Sequence, residues 1–404
     1  MLSVAEARAL IVQAFKPLAV EQVSLSDGFG RVLAADVSSR ITQPFAAVSA
    51  MDGYAVRAGD VATCPATLDV IGESAAGKGF AGSIGAGQAV RIFTGAPVPA
   101  GADTIVIQEN TTAQGNRVEI CEGAAVGRFV RQAGLDFKTG DVLLKAGRVL
   151  SARDIGMAAA MNVPWLAVRR RPRIAILATG NEIVMPGEPV GPDQITSSNS
   201  LALAAYVRAM GGEPVNLGIA RDTHESLARH IGWAAGADAL VTIGGASVGD
   251  HDLVDEALKT AGMELGFYRI AMRPGKPLIF GRLGAMPVLG LPGNPVSVGV
   301  TTLMFLQPAM NAMLGIPGTA PVVESAILGC DLGQNDRRED YLRASLSTDD
   351  EGRTVATPFA AQDSSMMALF ARADCLVVRP PHAPPARAGE RIAMIRPPHG
   401  FLSF

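Results

Sequence analysis

Aromatic residues make up only 5% of this chain, and its 404 residues include just four cysteines and five histidines. Each scarcity narrows what the protein can be. Cys64, Cys121, Cys330 and Cys375 are widely scattered, with no Cys-x-x-Cys pair and no histidine at ligand spacing. That argues against a zinc or iron–sulfur site and fits the reduced thiols of a cytoplasmic protein. A formal charge of −3 leaves no basic footprint for nucleic acid, and no run of like charge forms a tail. The segment from Met1 to Phe15 carries Glu6 and Arg8 in an amphipathic helical pattern, unlike a signal peptide. The nearest approach to a membrane segment is the uncharged stretch from Leu283 to Val323. Its most apolar part, Val296 to Leu306, is too short to span a bilayer and reads as a buried core helix ending at Gln307-Pro308.

What is plentiful is glycine, 45 residues, and proline, 26, so turns must be numerous. The length predicts about two to four domains, and the composition shifts along the chain define them. Residues 1–45 and 141–170 hold a helix (Val4 to Phe15), strands at Val20–Leu25 and Val32–Val37, and a second helix from Ala152 to Met161. Together they read as one N-terminal domain. Residues 46–140 alternate short strand-like runs with turns and read as a β-rich lid inserted into that domain. Residues 171–320 alternate strands (Arg173–Ala178, Pro214–Ala220, Ala239–Ile243) with helical patterns (Ser200–Met210, Glu225–Ala235, Leu253–Ala261). That order predicts an α/β domain with a parallel sheet and helices on both faces. Residues 321–404 return to β (Val322–Leu328, Tyr341–Leu346, Cys375–Val378, Arg391–Ile395) and read as a small barrel or sandwich.

Ligands of parallel sheets sit beyond the carboxyl ends of the strands, and three loops there stand out. After Ile243 the chain reads Gly244-Gly245-Ala246-Ser247-Val248-Gly249, then Asp250-His251-Asp252 and a helical pattern. A strand, a tight glycine loop and a helix start present backbone N–H groups to an anion. The added carboxylates suggest phosphate chemistry helped by a metal or by proton transfer; the bland alternative is a plain loop capped by Asp250. Thr179-Gly180-Asn181-Glu182 and Arg221-Asp222-Thr223-His224 also follow strands, so Glu182, Asp222, Asp250 and Asp252 should share one rim. Clustered carboxylates hold Mg2+ or keep one member protonated. His224 and His251 lack metal-ligand spacing and read as surface or capping residues.

Two further groups follow. Arg269 and Arg273-Pro274-Gly275-Lys276-Pro277 place cations on a rigid backbone. Leu291-Pro292-Gly293-Asn294-Pro295 opens the uncharged helix, whose free N–H groups favour an anion. In the β-rich insert, Met51-Asp52-Gly53-Tyr54-Ala55, Thr94-Gly95-Ala96 and Arg131-Gln132-Ala133-Gly134-Leu135-Asp136 each join a polar group to a turn glycine. Structural Asx-turns would equally explain Asp52 or Asp136.

Taken in order, these motifs closely resemble the molybdopterin molybdenumtransferase family, MoeA and the gephyrin E-domain, over essentially the whole chain. The glycine loop alone is shared with the smaller pterin adenylyltransferases. The resemblance implies an enzyme that inserts molybdenum from molybdate into adenylylated molybdopterin and releases AMP, assisted by Mg2+. It implies a cytoplasmic homodimer whose cleft lies between the sheet domain of one subunit and the insert of the other. Possible further partners are a pterin adenylyltransferase and molybdoenzyme acceptors, with neither nucleic acid nor membrane. Carried over motif by motif, the family's acids match Asp52, Asp136, Glu182, Asp222 and Asp252, with Glu182 and Asp222 as metal ligands. Binding of the pterin nucleotide maps to Thr94, Arg131, Thr179, Gly180, Asn181, Gly244, Gly245, Ser247, Arg269, Pro292, Asn294 and Pro295. The molybdate pocket maps to Arg273, Lys276, Ser297, Arg343 and Ser364. Arg269 and Arg273 stand where the bacterial family usually has lysine, and Asp363 stands where it usually has glycine. Two other functions share parts of this pattern: a pterin adenylyltransferase-type enzyme using the sheet domain alone, and a non-catalytic gephyrin-like scaffold. The former would not need the Asp52 and Thr94 loops.

Overall fold

The computed structural model describes residues 1–245, 253–318 and 320–397. The chain divides into two compact units, one formed by residues 1–35, 146–152 and 167 onward, the other by residues 36–145 and 153–166.

The first unit contains a six-stranded sheet. Its strands are β1 (Arg173–Thr179), β2 (Glu213–Ala220), β3 (Ala239–Ile243), β4 (Met263–Arg269), β5 (Pro277–Leu283) and β6 (Met286–Leu291). They lie in the order β2-β1-β3-β6-β5-β4. β2, β1, β3 and β6 are mutually parallel, while β5 runs antiparallel to both β6 and β4. The alternation of β1 explains the two-sided burial. Ile174 and Ile176 face one layer with Val4, Ala7 and Ile11 of the N-terminal helix, and with Leu203, Val207, Val300 and Phe305. Ala175 and Leu177 face the other layer with Leu227, Ile231, Val254 and Leu258. Strands covered on both faces need near-continuous apolar runs, which β1 and β3 supply.

The expected parallel core is present, with an antiparallel hairpin, β5–β6, that periodicity did not reveal. The hairpin turns tightly at Gly284-Ala285, and Gly281 allows β5 to pass so near β4 that a Cβ there would lie 2.6 Å from the Glu264 carbonyl oxygen. Glycine at such a position weakens the strand pattern while permitting the pairing. The run Val32–Val37 is not one strand: Val32 and Leu33 form isolated bridges to Val149 and Val168, and only Val37–Ser38 pairs with Val142–Leu144.

The uncharged helix corrects another expectation, because it does not end at Gln307-Pro308. An α-helix over Pro295–Thr301 widens into a π turn over Thr302–Leu306 and continues as α-helix over Gln307–Leu314. Proline has no N–H, and its ring collides with the carbonyl four residues back in an α-helix. Where the helix widens, the Gln307 N–H donates to the Thr302 carbonyl, five residues back, and the proline is carried without a break. Gly315, at φ 69°, supplies the left-handed stop.

The tail closes into a barrel. Strands β7 (Val323–Leu328), β8 (Glu339–Thr348), β9 (Thr354–Pro358), β10 (Cys375–Arg379) and β11 (Arg391–Ile395) form the ring β8-β9-β7-β11-β10, which returns to β8 through a β10–β8 ladder. Its interior is small: Ala326, Ala344, Ala356, Cys375 and Val377 fill it with Leu328, Ile392 and Met394. Met272–Arg273 pairs with Glu339–Asp340 and ties the barrel to the sheet domain.

The second unit is built on a six-stranded sheet in the order Thr104–Ile107, Gly53–Val56, Gln88–Ile92, Ala66–Ser74, Arg117–Ile120, Thr111–Gln114. Alternating residues again serve two cores, with Tyr54, Val56 and Val106 on one side and Ala55, Val90 and Ile105 on the other. Among the described residues, no helix is long and apolar enough to cross a membrane.

Candidate active site

The sheet order places a topological switch between β1 and β3, because the chain leaves β1 toward β2 on one side and adds β3 on the other. At such switch points loops diverge to either side, which is where ligands of parallel sheets bind. Thr179 ends β1, and Gly244 follows β3. Gly244 sits at φ 92°, and a Cβ on it would lie 2.8 Å from the Thr179 carbonyl oxygen; glycine is therefore required by both backbone angle and space. Gly245 is also left-handed, at φ 64°. Beyond it, Ser247, Asp250, His251 and Asp252 lie outside the described residues.

The two other strand-end loops interlock. The Asn181 N–H donates to Asp222 Oδ2 at 3.1 Å, and the Asp222 N–H donates to Asn181 Oδ1 at 3.2 Å. Arg221 adds a bond from its guanidinium to the Asn181 carbonyl at 3.0 Å. Gly180 permits Glu182 to fold back over the loop, since a Cβ there would meet Glu182 Oε2 at 2.5 Å. Asp222 is therefore held at Asn181, while Glu182 lies over the neighbouring Gly180. Thr223 caps the helix that follows by accepting from the Ser226 N–H, and His224 is a surface residue 3.7 Å from Glu256.

The Pro292–Pro295 loop leaves β6 at the same rim. Asn199 donates to the Gly293 carbonyl at 2.6 Å, and Asn294 donates to Ser364 Oγ at 2.7 Å. The Val296 N–H is taken by the Ser364 carbonyl at 3.1 Å. Pro295 occupies the first turn of the helix, and Ser297, two residues on, is buried. From the barrel, buried Arg343 donates to the Asp363 carbonyl at 3.0 Å. Burial lowers the pKa of its guanidinium. The Asp363 carboxylate turns back to accept from the Ser365 hydroxyl and N–H, which hold its pKa low.

The cationic loop is divided in its attachments. Arg273 donates to both oxygens of buried Asp340, to Asn335 Oδ1 at 3.3 Å and to Asp336 at 3.5 Å. The Asp340 bonds raise its pKa. Arg269 is exposed, with its guanidinium 5.6 Å from the Tyr268 ring centroid. The Lys276 side chain has no partner among the described residues. Gly275 presses this loop against the uncharged helix: a Cβ there would lie 2.6 Å from Thr301 Cγ2, and Thr301 in turn donates to the Ser297 carbonyl.

In the second unit Asp52 and Thr94 form a direct pair. Asp52 Oδ1 accepts from the Thr94 N–H at 2.7 Å and from its hydroxyl at 2.8 Å. These bonds, the backbone one first, hold the carboxyl below the usual aspartate range. Arg131 pairs with Val48 through the two-stranded ladder that also contains Ser49, and the Gly95 N–H donates to the Ser49 carbonyl at 2.8 Å. Asp136 is exposed, with its N–H bound to the Gln43 carbonyl. Three participants were not visible from motif spacing: Arg91, Asn199 and Asp340. Arg91 stands three residues before Thr94 on a strand whose neighbours Val90 and Ile92 are buried. A lone arginine in that alternation was the available signal.

Three family models tile the chain: "MoeA N-terminal region (domain I and II)" over residues 2–162, "Probable molybdopterin binding domain" over 175–312 and "MoeA C-terminal region (domain IV)" over 325–396. A molybdopterin molybdenumtransferase of Nostoc is 39% identical over 89% of this chain and 85% of its own length. The molybdopterin molybdenumtransferase of Haemophilus influenzae is 31% identical over 98% of each. The chain belongs to the molybdopterin molybdenumtransferase family. Its fold agrees: a solved molybdopterin biosynthesis MoeA protein from Pyrococcus horikosii superposes with a TM-score of 0.85 at 32% identity, covering 98% of this chain and 99% of that one. Family membership covers both units, so the Asp52–Thr94 pair of the insert and the switch-point loops of the sheet belong to one enzyme type.

Proposed function

We propose that this chain is the molybdenum-inserting enzyme of molybdenum cofactor biosynthesis: it takes adenylylated molybdopterin and molybdate, joins the metal to the pterin dithiolene and releases AMP. The observation that carries the reading is the β1–β3 switch point. There a glycine is forced by the Thr179 carbonyl, and two carboxylates stand on neighbouring strand-end loops: Asp222, bonded to Asn181, and Glu182, folded over Gly180. The substrate brings a diphosphate link, so fixed backbone donors and cations suit it.

Mg2+ fits this acid pair. Among the described residues no three acidic, histidine or cysteine side chains form a metal cage. Mg2+ in phosphate chemistry is commonly held by one or two carboxylates together with the substrate's own oxygens. Glu182 and Asp222 would hold it, and it would offset charge on the phosphoanhydride. Lys276, Arg273, Ser297, Arg343 and Ser364 form the proposed molybdate site. Asp52 and Asp136, together with Asp252, are the proposed acid–base groups, with Thr94 and Arg131 binding substrate. The enzyme is proposed to be cytoplasmic and homodimeric, the insert of one subunit completing the sheet-domain site of its partner.

The deciding experiment is AMP release from adenylylated molybdopterin with and without molybdate and Mg2+. The unchanged protein should release AMP in a manner dependent on both. Asp52→Ala and Asp222→Ala should fold and lose that release by at least about a hundredfold, as expected for loss of general acid–base or metal-ligand groups. Full turnover in both variants would overturn the assignment.

A further inference from the structure

Asp52 projects from the start of the Gly53–Val56 strand, and its neighbours are held by a residue to which no role has been given. Arg91 lies directly opposite Tyr54 in the antiparallel ladder with Gln88–Ile92. Its guanidinium stands 5.0 Å from the Tyr54 ring centroid and 5.1 Å from that of Phe93. It donates to the Gly53 carbonyl at 3.3 Å and to Gln108 Oε1 at 2.7 Å. Gln108 in turn gives its N–H to the Asp52 carbonyl at 3.1 Å. Arg91 thus holds the Gly53 carbonyl, one residue beyond Asp52, and the side chain of the residue whose N–H binds the Asp52 carbonyl.

Two features separate this arrangement from an ordinary structural arginine. Among the described residues Arg91 has no carboxylate within ion-pair distance, so its charge is held in place by two aromatic rings and neutral acceptors. In addition, Asp52 spends only Oδ1 on Thr94, which leaves Oδ2 without a protein partner among the described residues. The elements packed around it contribute Tyr54 and Arg91 from the paired strands, Thr94 from the adjoining loop, and neutral Gln108 followed by exposed Glu109 from the end of Thr104–Ile107.

We infer that Arg91 is a positioning residue of the Asp52 centre: it fixes the backbone from which Asp52 projects and places an uncompensated cation beside a carboxylate that has one free oxygen. The inference rests on the proposed role of Asp52 in turnover. The two Thr94 hydrogen bonds hold the Asp52 carboxyl low, desolvation works against them, and the Arg91 charge adds a smaller lowering effect. A carboxylate aimed by its neighbours and kept ionised is ready to accept a proton or face a metal without reorganisation.

The test uses the full-length protein, with Arg91→Met (apolar stem retained, charge and donors removed), Arg91→Lys (charge retained) and Gln108→Leu (the relay broken). AMP release and the carboxyl 13C titration of Asp52 are read together. Arg91→Met should lower turnover by about ten- to fiftyfold with KM for the adenylylated pterin changed less than about threefold. The acid limb of its pH profile and the NMR titration of Asp52 should both move upward. Arg91→Lys should restore most of the titration shift but only part of the rate. Gln108→Leu, which leaves the aromatic clamp intact, should lose rate with little change in titration. An Asp52 titration unmoved in folded Arg91→Met would overturn the inference. So would a loss confined to KM, which would make Arg91 a substrate contact. If Asp52→Ala is active in the same assay, the proposed role of Asp52 fails instead, while the NMR titration still decides whether Arg91 acts on it.

Discussion

At the scale of single residues, Arg273 and Lys276 share one loop but differ in how much charge they can offer an anion. Arg273 is engaged by Asp340, buried within the fold, and by Asp336. Arg338, through its side-chain bond, and Arg273 hold the Asp336 carboxyl down to about 2, so that charge persists from neutral to mildly acidic pH. A guanidinium bound bidentately by one carboxylate and approached by another is largely neutralised, whereas Lys276 has no such partner among the described residues. Lys276→Met should therefore raise the molybdate concentration for half-maximal turnover by about tenfold, equivalent to about 1.4 kcal/mol. Arg273→Lys should change it less than about threefold, yet lower stability by about 1–2 kcal/mol, because an ammonium cannot reproduce the two-pronged bond to Asp340. Molybdate titration of AMP release and urea unfolding measure the two effects separately. If Arg273→Lys abolished the molybdate response with stability unchanged, Arg273 would be the principal oxyanion ligand. The same contacts give a physical reason for arginine at this departure from the family pattern: Asp340 needs a planar donor pair. Asp363, another departure, accepts from the Ser365 hydroxyl.

At the scale of elements, the loops that carry this chemistry were legible because their glycines and acids break apolar runs sharply. β1 and β3 showed as β-branched stretches, and the helices between them showed as 3.6-residue repeats. The hairpin β5–β6 was hidden by Gly281, Gly284 and Gly290, which suppress the strand pattern in the places where the backbone is crowded. The long helix was cut short at Pro308 on a rule that holds for α-helices and not for one that widens into a π turn. Likewise β9, Thr354–Pro358, was not among the expected strands; it is short, ends in a proline and is held by pairing with β8. In each case long-range packing overrode a local preference. The Lys276 loop shows the converse, a local constraint set by a distant helix. Gly275 combines φ 106° with a Cβ position 2.6 Å from Thr301. Gly275→Ala should cost about 2 kcal/mol or more through strain and collision. It should also displace the loop that carries Lys276, raising the molybdate requirement along with the loss of stability. Wild-type stability in urea unfolding would show that the loop and helix are not locked together as described.

At the scale of the whole molecule, the acids of the proposed reaction fall into two sets carried by separate compact units: Asp52 and Asp136 in one, Glu182 and Asp222 in the other. A cleft built between subunits has a consequence that no property of an isolated chain shares. In a heterodimer of an Asp52→Ala subunit and an Asp222→Ala subunit, one cleft combines both defects. The other combines the intact insert of one subunit with the intact sheet domain of its partner. A symmetric dimer with sites across the interface should therefore recover one working site of two. Co-expressed, differently tagged subunits purified as the heterodimer should release AMP at about half the wild-type rate per dimer, although each parent homodimer is inactive. If every site were completed within a single subunit, both sites of the heterodimer would carry one lesion and activity would stay at the parental level. Complementation thus tests the dimer through its chemistry, and it distinguishes a shared cleft from simple association, which sedimentation alone would not.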